Sequence, residues 1–225
     1  MKILFYGDSI TDMGRNRESE DGSVYSYGVG YTNFVVGELT NKDPKKYECI
    51  NRGISGNRVV DLYARIKIDV WNHKPDVLSI LIGVNDVWHE ISRENGVELD
   101  RWERVYRTMI EETKERLPNI KIIILEPFIL QGSATDGEER WQKFLAVKEY
   151  AKVAKKIAED YGAYFVPLQE KFDEAEAKFG GDYYTFDGVH PLAAGARMIA
   201  NEWLKAFENI KVFWNRGRLW AHRLK

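Results

Sequence analysis

Short β-branched runs alternate with stretches of helical period along most of this 225-residue chain. The runs are Lys2–Tyr6, Tyr47–Asn51, Asp76–Ile82, Lys121–Glu126 and Ala163–Pro167, each of a length suited to a strand. Val77-Leu78-Ser79-Ile80-Leu81-Ile82 is almost continuously apolar, the pattern of a strand covered on both faces. Leu99, Trp102, Tyr106, Met109, Ile110, Thr113 and Leu117 form one helical stripe, and Phe144, Val147, Ala151, Ala154, Ile157, Ala158 and Tyr161 form another. Gly28–Leu39, Val59–Asn72 and Pro191–Phe207 also read as helices, with Pro191 in a first-turn position where its missing N–H costs nothing. Five strands alternating with helices predict a doubly wound α/β domain around a parallel sheet. The pattern leaves the strand order open.

No repeat, low-complexity segment or Pro/Gly/Ser-rich linker interrupts this alternation, so one domain over residues 1–208 is expected. Residues 209–225 differ in character. They carry Lys211, Arg216, Arg218, Arg223 and Lys225 without an acidic residue, interleaved with Phe213, Trp214, Leu219 and Trp220. Such a basic-aromatic tail is read as a contact to another subunit, since exposed Trp and Leu favour cover; a homo-oligomer is therefore expected. The formal net charge of −2 provides no whole-molecule attraction for nucleic acid or anionic membrane. Cys49 is the sole cysteine, which excludes an intrachain disulfide. The apolar run Ile3–Tyr6 stops at Gly7-Asp8, too short for a signal-peptide core, and no run approaches a membrane span. The expectation is a cytoplasmic protein.

In open α/β sheets ligands bind beyond the carboxyl ends of the strands, so the residues following each strand matter most. They are Gly7-Asp8-Ser9-Ile10-Thr11-Asp12, Asn51-Arg52-Gly53-Ile54-Ser55-Gly56-Asn57, Gly83-Val84-Asn85-Asp86-Val87-Trp88, Glu126-Pro127-Phe128 and, one helical stretch later, Asp187-Gly188-Val189-His190-Pro191. Each block alone has an ordinary structural reading. Ser9 can cap a helix beginning at Ile10, Gly53 and Gly56 can serve left-handed turns, and Asn85 can be a turn residue. Together they supply complementary parts of acyl-transfer chemistry: a hydroxyl nucleophile at Ser9, a base at His190, a carboxylate three residues away at Asp187, and amide donors for an oxyanion. No phosphate-binding loop, dinucleotide fingerprint or zinc-ligand spacing competes with this reading, and neither a cofactor nor a metal is expected.

These blocks resemble those of the SGNH (GDSL-like) hydrolases, whose four signature residues match Ser9, Gly53, Asn85 and His190 in order. The resemblance spans residues 7–191, through GDSIT, GISGN, GVND and DGVHP, with Ile10 where the name-giving motif has Leu. It implies a single-domain three-layer α/β/α sandwich with a flavodoxin-like five-stranded parallel sheet. It also implies a Ser9–His190–Asp187 triad and an oxyanion hole formed by Ser9, Gly53 and Asn85. GDSITDMGR at 7–15, Gly30-Tyr31, Val35-Val36-Gly37, GISGNRVVDL at 53–62 and GVNDVW at 83–88 are similar to the intracellular acetylxylan esterases within that family.

The expected activity is therefore hydrolysis of short acyl esters, acetate above all, on carbohydrates such as xylo-oligosaccharides. The expected partner is a small-molecule ester; a nucleic acid or a membrane is not. Asp8 and Trp88 are the side chains expected to line the substrate site, whereas Trp102 falls on a core stripe. A thioesterase or lysophospholipase of the same fold, or a non-catalytic carbohydrate-binding protein, are the alternatives.

Overall fold

The computed structural model describes residues 1–19 and 22–221, with side chains as far as residue 210. Five parallel strands, β1 (Lys2–Gly7), β2 (Glu48–Asn51), β3 (Val77–Leu81), β4 (Lys121–Leu125) and β5 (Tyr164–Val166), lie in the order β2-β1-β3-β4-β5. This is the flavodoxin-like order expected above, and four strands fall inside their apolar runs while β1 extends one residue beyond its run, to Gly7. The helices are α1 (Ser9–Asp12), α2 (Val24–Tyr27), α3 (Tyr31–Lys42), α4 (Val59–Asp69), α5 (Val84–Arg93), α6 (Leu99–Arg116), α7 (Glu138–Phe144), α8 (Val147–Tyr161), α9 (Gln169–Phe179) and α10 (Ala193–Ala221).

Strand alternation explains the two helical layers. Phe5 packs edge-on to Tyr31 of α3 and against Trp203 of α10, with ring centroids 5.9 and 5.4 Å away. Its neighbour Tyr6 points to the opposite face, where its hydroxyl donates to Leu62 O of α4 at 2.5 Å. Successive side chains of a strand must diverge in this way, so each central strand needs cover twice. The predicted α6 stripe buries Trp102, Tyr106, Met109, Ile110 and Thr113, and α8 buries Val147, Ala151, Ala154, Ile157 and Ala158. Ser79 is fully buried in mid-strand and accepts the indole N–H of Trp203 at 2.9 Å, which satisfies both polar groups inside the core.

Three predicted helices have different boundaries. Gly28–Leu39 is broken: Gly28 takes φ 74°, and α3 begins only at Tyr31. A Cβ on Gly28 would lie 2.3 Å from Asp12 O, so the chain crosses close over α1 there. Val59–Asn72 ends at Asp69 and gives way to a 3-10 turn over Trp71–His73. Pro191 precedes α10 instead of occupying its first turn, because it pairs with Thr185 in an isolated antiparallel bridge and is held extended. The backbone of α10 runs through the expected boundary between residues 208 and 209. Ile199, Trp203, Phe207 and Ile210 are buried at helical spacing, and α10 continues to Ala221. The tail side chains, and with them the expected subunit contact, lie outside the described residues. Among the described residues no helix is long and apolar enough to cross a membrane.

Candidate active site

β1 delivers the first element. The strand ends at Gly7, and Asp8 caps the single-turn α1 by accepting Ile10 N–H at 3.0 Å. The cap is thus Asp8, and Ser9 is the first helical residue. The Ser9 hydroxyl lies 2.8 Å from His190 Nε2, although 181 positions separate them in the chain. Asp8 does not line the cleft as expected. It is 1% exposed, and burial raises its pKa to about 7, partly offset by the Ile10 amide and by the charge of nearby His190.

His190 and Asp187 come from one short loop before α10. Asp187 Oδ1 accepts the backbone N–H groups of Val189 (2.9 Å) and His190 (2.8 Å), which fixes the carboxylate within its own loop. Its other oxygen meets His190 Nδ1 at 2.7 Å. A second loop braces the first, through Leu130 N–H to Gly188 O at 2.8 Å and Ala134 N–H to Asp187 O at 2.9 Å. Burial works against a charged His190, but the Asp187 hydrogen bond and charge, aided by Asp8, outweigh it and hold the imidazole above its ordinary value of 6.5. Asp187 shows the reverse balance: burial would raise it, while bonds from His190 and two backbone amides hold it below the usual carboxylate value.

The sequence reading placed Gly53 among the oxyanion donors, and the geometry corrects this. The Gly53 amide donates to Asn51 Oδ1 at 2.9 Å, and its carbonyl accepts Arg15 Nε at 2.9 Å. A Cβ there would lie 2.4 Å from Asp12 N, so this glycine permits backbone to pack on α1. The glycine lining the cleft is Gly56, three residues on, whose φ of 84° is the left-handed turn that glycine adopts without steric cost. Asp12 holds the preceding residue. Its buried carboxylate accepts both the N–H and the hydroxyl of Ser55 at 2.9 Å and pairs with Arg17. Asn85 sits in the first turn of α5, and one of its amide hydrogens donates to Asn57 O at 3.1 Å.

Ser9, Ser55, Gly56, Asn85, Trp88, His89, Ser92, Arg93 and His190 enclose a cleft of about 330 Å³, at the small end of ligand sites. Trp88 lines this cleft, its ring 5.9 Å from that of His190, and the Phe186 ring stacks on the imidazole at 5.3 Å. Trp102 is buried in the core, as its stripe predicts. Ser55, His89, Ser92 and Arg93 were not anticipated. The signal was present: residues 85, 88, 89 and 92 share one face of a helix, but it is visible only once α5 is known to start at Val84. The three catalytic-type groups form a hydroxyl–imidazole–carboxylate chain able to generate an alkoxide-like nucleophile at neutral pH. Among the described residues no cluster of His, Cys, Asp or Glu could hold a metal ion.

Residues 5–198 match the model of the GDSL-like lipase/acylhydrolase family. The chain is 39% identical over 223 residues to an acetylxylan esterase of Geobacillus stearothermophilus, covering 96% of this chain and 97% of that one. The crystal structure of that enzyme superposes with a TM-score of 0.81 at 38% identity, over 91% of this chain and 93% of the other. A GDSL-like lipase structure from Parabacteroides merdae gives a TM-score of 0.85 at 40% identity, over 91% and 94%. Structures of the Geobacillus enzyme include catalytic mutants in which an aspartate, a serine or a histidine is replaced by alanine. A family match across this much of the chain places it in the GDSL-like lipase/acylhydrolase family, as a carboxylic ester hydrolase of the GDSL type.

Proposed function

We propose that this esterase removes short acyl groups, acetate above all, from carbohydrate alcohols through Ser9, His190 and Asp187. The observation that carries the chemistry is the unbroken hydrogen-bond chain from Ser9 Oγ to His190 (2.8 Å) to Asp187 (2.7 Å) at the wall of a small cleft. Ser9 Oγ attacks the ester carbonyl carbon while His190 Nε2 takes its proton. The oxyanion is received by the N–H groups of Ser9 and Gly56 and by the Asn85 amide hydrogen not engaged by Asn57. His190 then protonates the departing alcohol, and water repeats the sequence on the acyl-enzyme.

The acyl preference rests on the shape of the cleft and on the Geobacillus relative, an acetylxylan esterase. Trp88 is the one large apolar side chain among the described residues lining the cleft, whose volume of about 330 Å³ suits a small acyl group. Tyr183 and Phe186 stand 69% and 61% exposed in the segment before His190, and aromatic faces beside polar groups suit sugar rings. An open groove would gain about 0.8 kcal/mol for each added methylene, so chain length discriminates. Specificity constants for nitrophenyl acetate, butyrate and octanoate are expected to fall in that order, and peracetylated xylobiose is expected to release acetate. Ser9→Ala is expected to abolish fluorophosphonate labelling and to lower turnover by roughly three to six orders of magnitude. Rising activity toward octanoate overturns the acetyl-sugar reading and leaves the esterase standing; labelling that survives in Ser9→Ala overturns the nucleophile.

A further inference from the structure

Helix α5 sorts its charges between two sides. Asp86, Glu90 and Glu94 line a separate cavity shared with Tyr150 of α8. Asn85, Trp88, His89, Ser92 and Arg93 line the cleft. Among the described residues no carboxylate lines the cleft, and Arg93 is the only permanently charged side chain in its wall. His89 does not add a second charge at neutral pH: burial, together with the charges of Arg93 and Arg58, holds it below its ordinary value. Arg58 is itself occupied by Asp61 at 2.9 Å and by Asn95 at 2.8 Å.

Arg93 is exposed and makes no ion pair among the described residues, although Glu90 lies one turn earlier on its own helix. Glu90, three residues earlier, instead accepts Gly96 N–H at 3.0 Å. Helical side chains lean toward the helix N-terminus, which at α5 is the end carrying Asn85. Arg93 and Asn85 are eight residues apart, roughly 12 Å of axial rise. A group held by Arg93 is thus distinct from the ester carbonyl at the oxyanion donors, and because an acetyl group is too short to reach it, on the carbohydrate-ester reading it belongs to the alcohol portion of the substrate. A planar guanidinium recognises a carboxylate with two parallel hydrogen bonds.

We propose that Arg93 forms a carboxylate subsite, and that the preferred substrates are acetylated oligosaccharides bearing a uronic acid on a ring next to the acetylated one. This rests on the carbohydrate-ester reading above and adds a substrate charge to it. The test compares acetate release from an acetylated xylo-oligosaccharide carrying glucuronic acid with release from its neutral acetylated counterpart of equal length. The readout is the ratio of the two kcat/KM values, in which general damage to the enzyme cancels. At low ionic strength the wild-type ratio is expected near tenfold, in the range of one charge-assisted hydrogen-bonded contact.

Arg93→Gln is expected to bring the ratio to about one, Arg93→Lys to keep part of it, and Arg93→Glu to invert it. Salt at 1 M, where the screening length falls to about 3 Å, is expected to flatten the wild-type preference without any substitution. A wild-type ratio near one, a ratio unchanged in Arg93→Gln, or a ratio insensitive to salt overturns the subsite. Absence of acetate release from both substrates overturns instead the carbohydrate reading on which the subsite depends.

Discussion

Replacing Asp187 by asparagine separates the electrostatic part of the triad from its architecture. Asp187 Oδ1 accepts two backbone N–H groups, at 2.9 and 2.8 Å, and an asparagine carbonyl oxygen can keep both. The amide group then faces His190 Nδ1, where Asp187 Oδ2 stood at 2.7 Å. Two donors cannot share one hydrogen bond, so the imidazole moves its proton to Nε2 and presents an N–H to Ser9 Oγ, 2.8 Å away. The base is lost while the loop stays in place. In the worked serine-protease triad this change costs about four orders of magnitude in kcat, or roughly 5.4 kcal/mol of barrier, and the same is expected here with little change in KM. The acid limb of the pH profile moves as well. His190 acts as a base only when neutral, and it is held above 6.5 because the Asp187 bond and charge outweigh burial. Without them burial prevails, so the residual activity of Asp187→Asn sets in at lower pH than that of the wild type. The same pairing has a stability signature. His190, with its native value raised, stabilises the fold fully below 6.5, and this is lost as pH rises through the native value; Asp187, with its value depressed, contributes above 3.8 and loses this as pH falls through its native value. Wild type and variant should therefore differ most in thermal stability between about pH 4 and 6.5. Nitrophenyl acetate hydrolysis from pH 5 to 8, corrected for spontaneous reaction, with melting followed by circular dichroism, tests all three. Retention of a tenth of wild-type kcat, or an unmoved acid limb, would refute the reasoning.

Three further outcomes are expected. Gly56→Ala should fold with a strain of about 1 kcal/mol from its left-handed φ and lose turnover, whereas Gly53→Ala should fail in soluble yield, because its Cβ meets the backbone of Asp12 at 2.4 Å; a well-folded Gly53→Ala with the larger catalytic defect would return the oxyanion role to Gly53. Asp8→Asn should raise the melting temperature at pH 8 and hardly at pH 4: a buried acid raised from 3.8 to about 7 costs stability as pH climbs between those values, by at most about 4 kcal/mol, while asparagine can still cap Ile10. Equal melting temperatures of wild type and Asp8→Asn at pH 8 would count against a buried ionisable Asp8. Deleting residues 212–225 should lower the oligomer size in light scattering, since Trp214 and Trp220 would otherwise lack cover, and an unchanged mass and stability would remove the proposed subunit contact.

Class and chemistry were legible along the chain because both depend on local pattern. A strand buried on both faces must read as a continuous apolar run, as Val77–Ile82 does, and a helix against the sheet must repeat apolar residues at three and four, as α6 and α8 do. Ser9, Asp187 and His190 stood out because acyl transfer needs those residue types at strand ends. What the chain could not reveal depends on contacts distant in sequence. The strand order follows from which apolar faces pack together, and no single run encodes that. Gly53 and Gly56 occupy one short block, and only the approach of α1, with Asn51 Oδ1 taking one amide, separates a packing glycine from a cleft glycine. Asp8 adjoins Ser9, the proposed nucleophile, in sequence yet is buried, because the first helical turn beyond β1 needs a cap. Arg93 belongs to the cleft only because α5 carries one continuous face from Asn85 outward, and that face turns toward Ser9 through the pairing of β1 with β3.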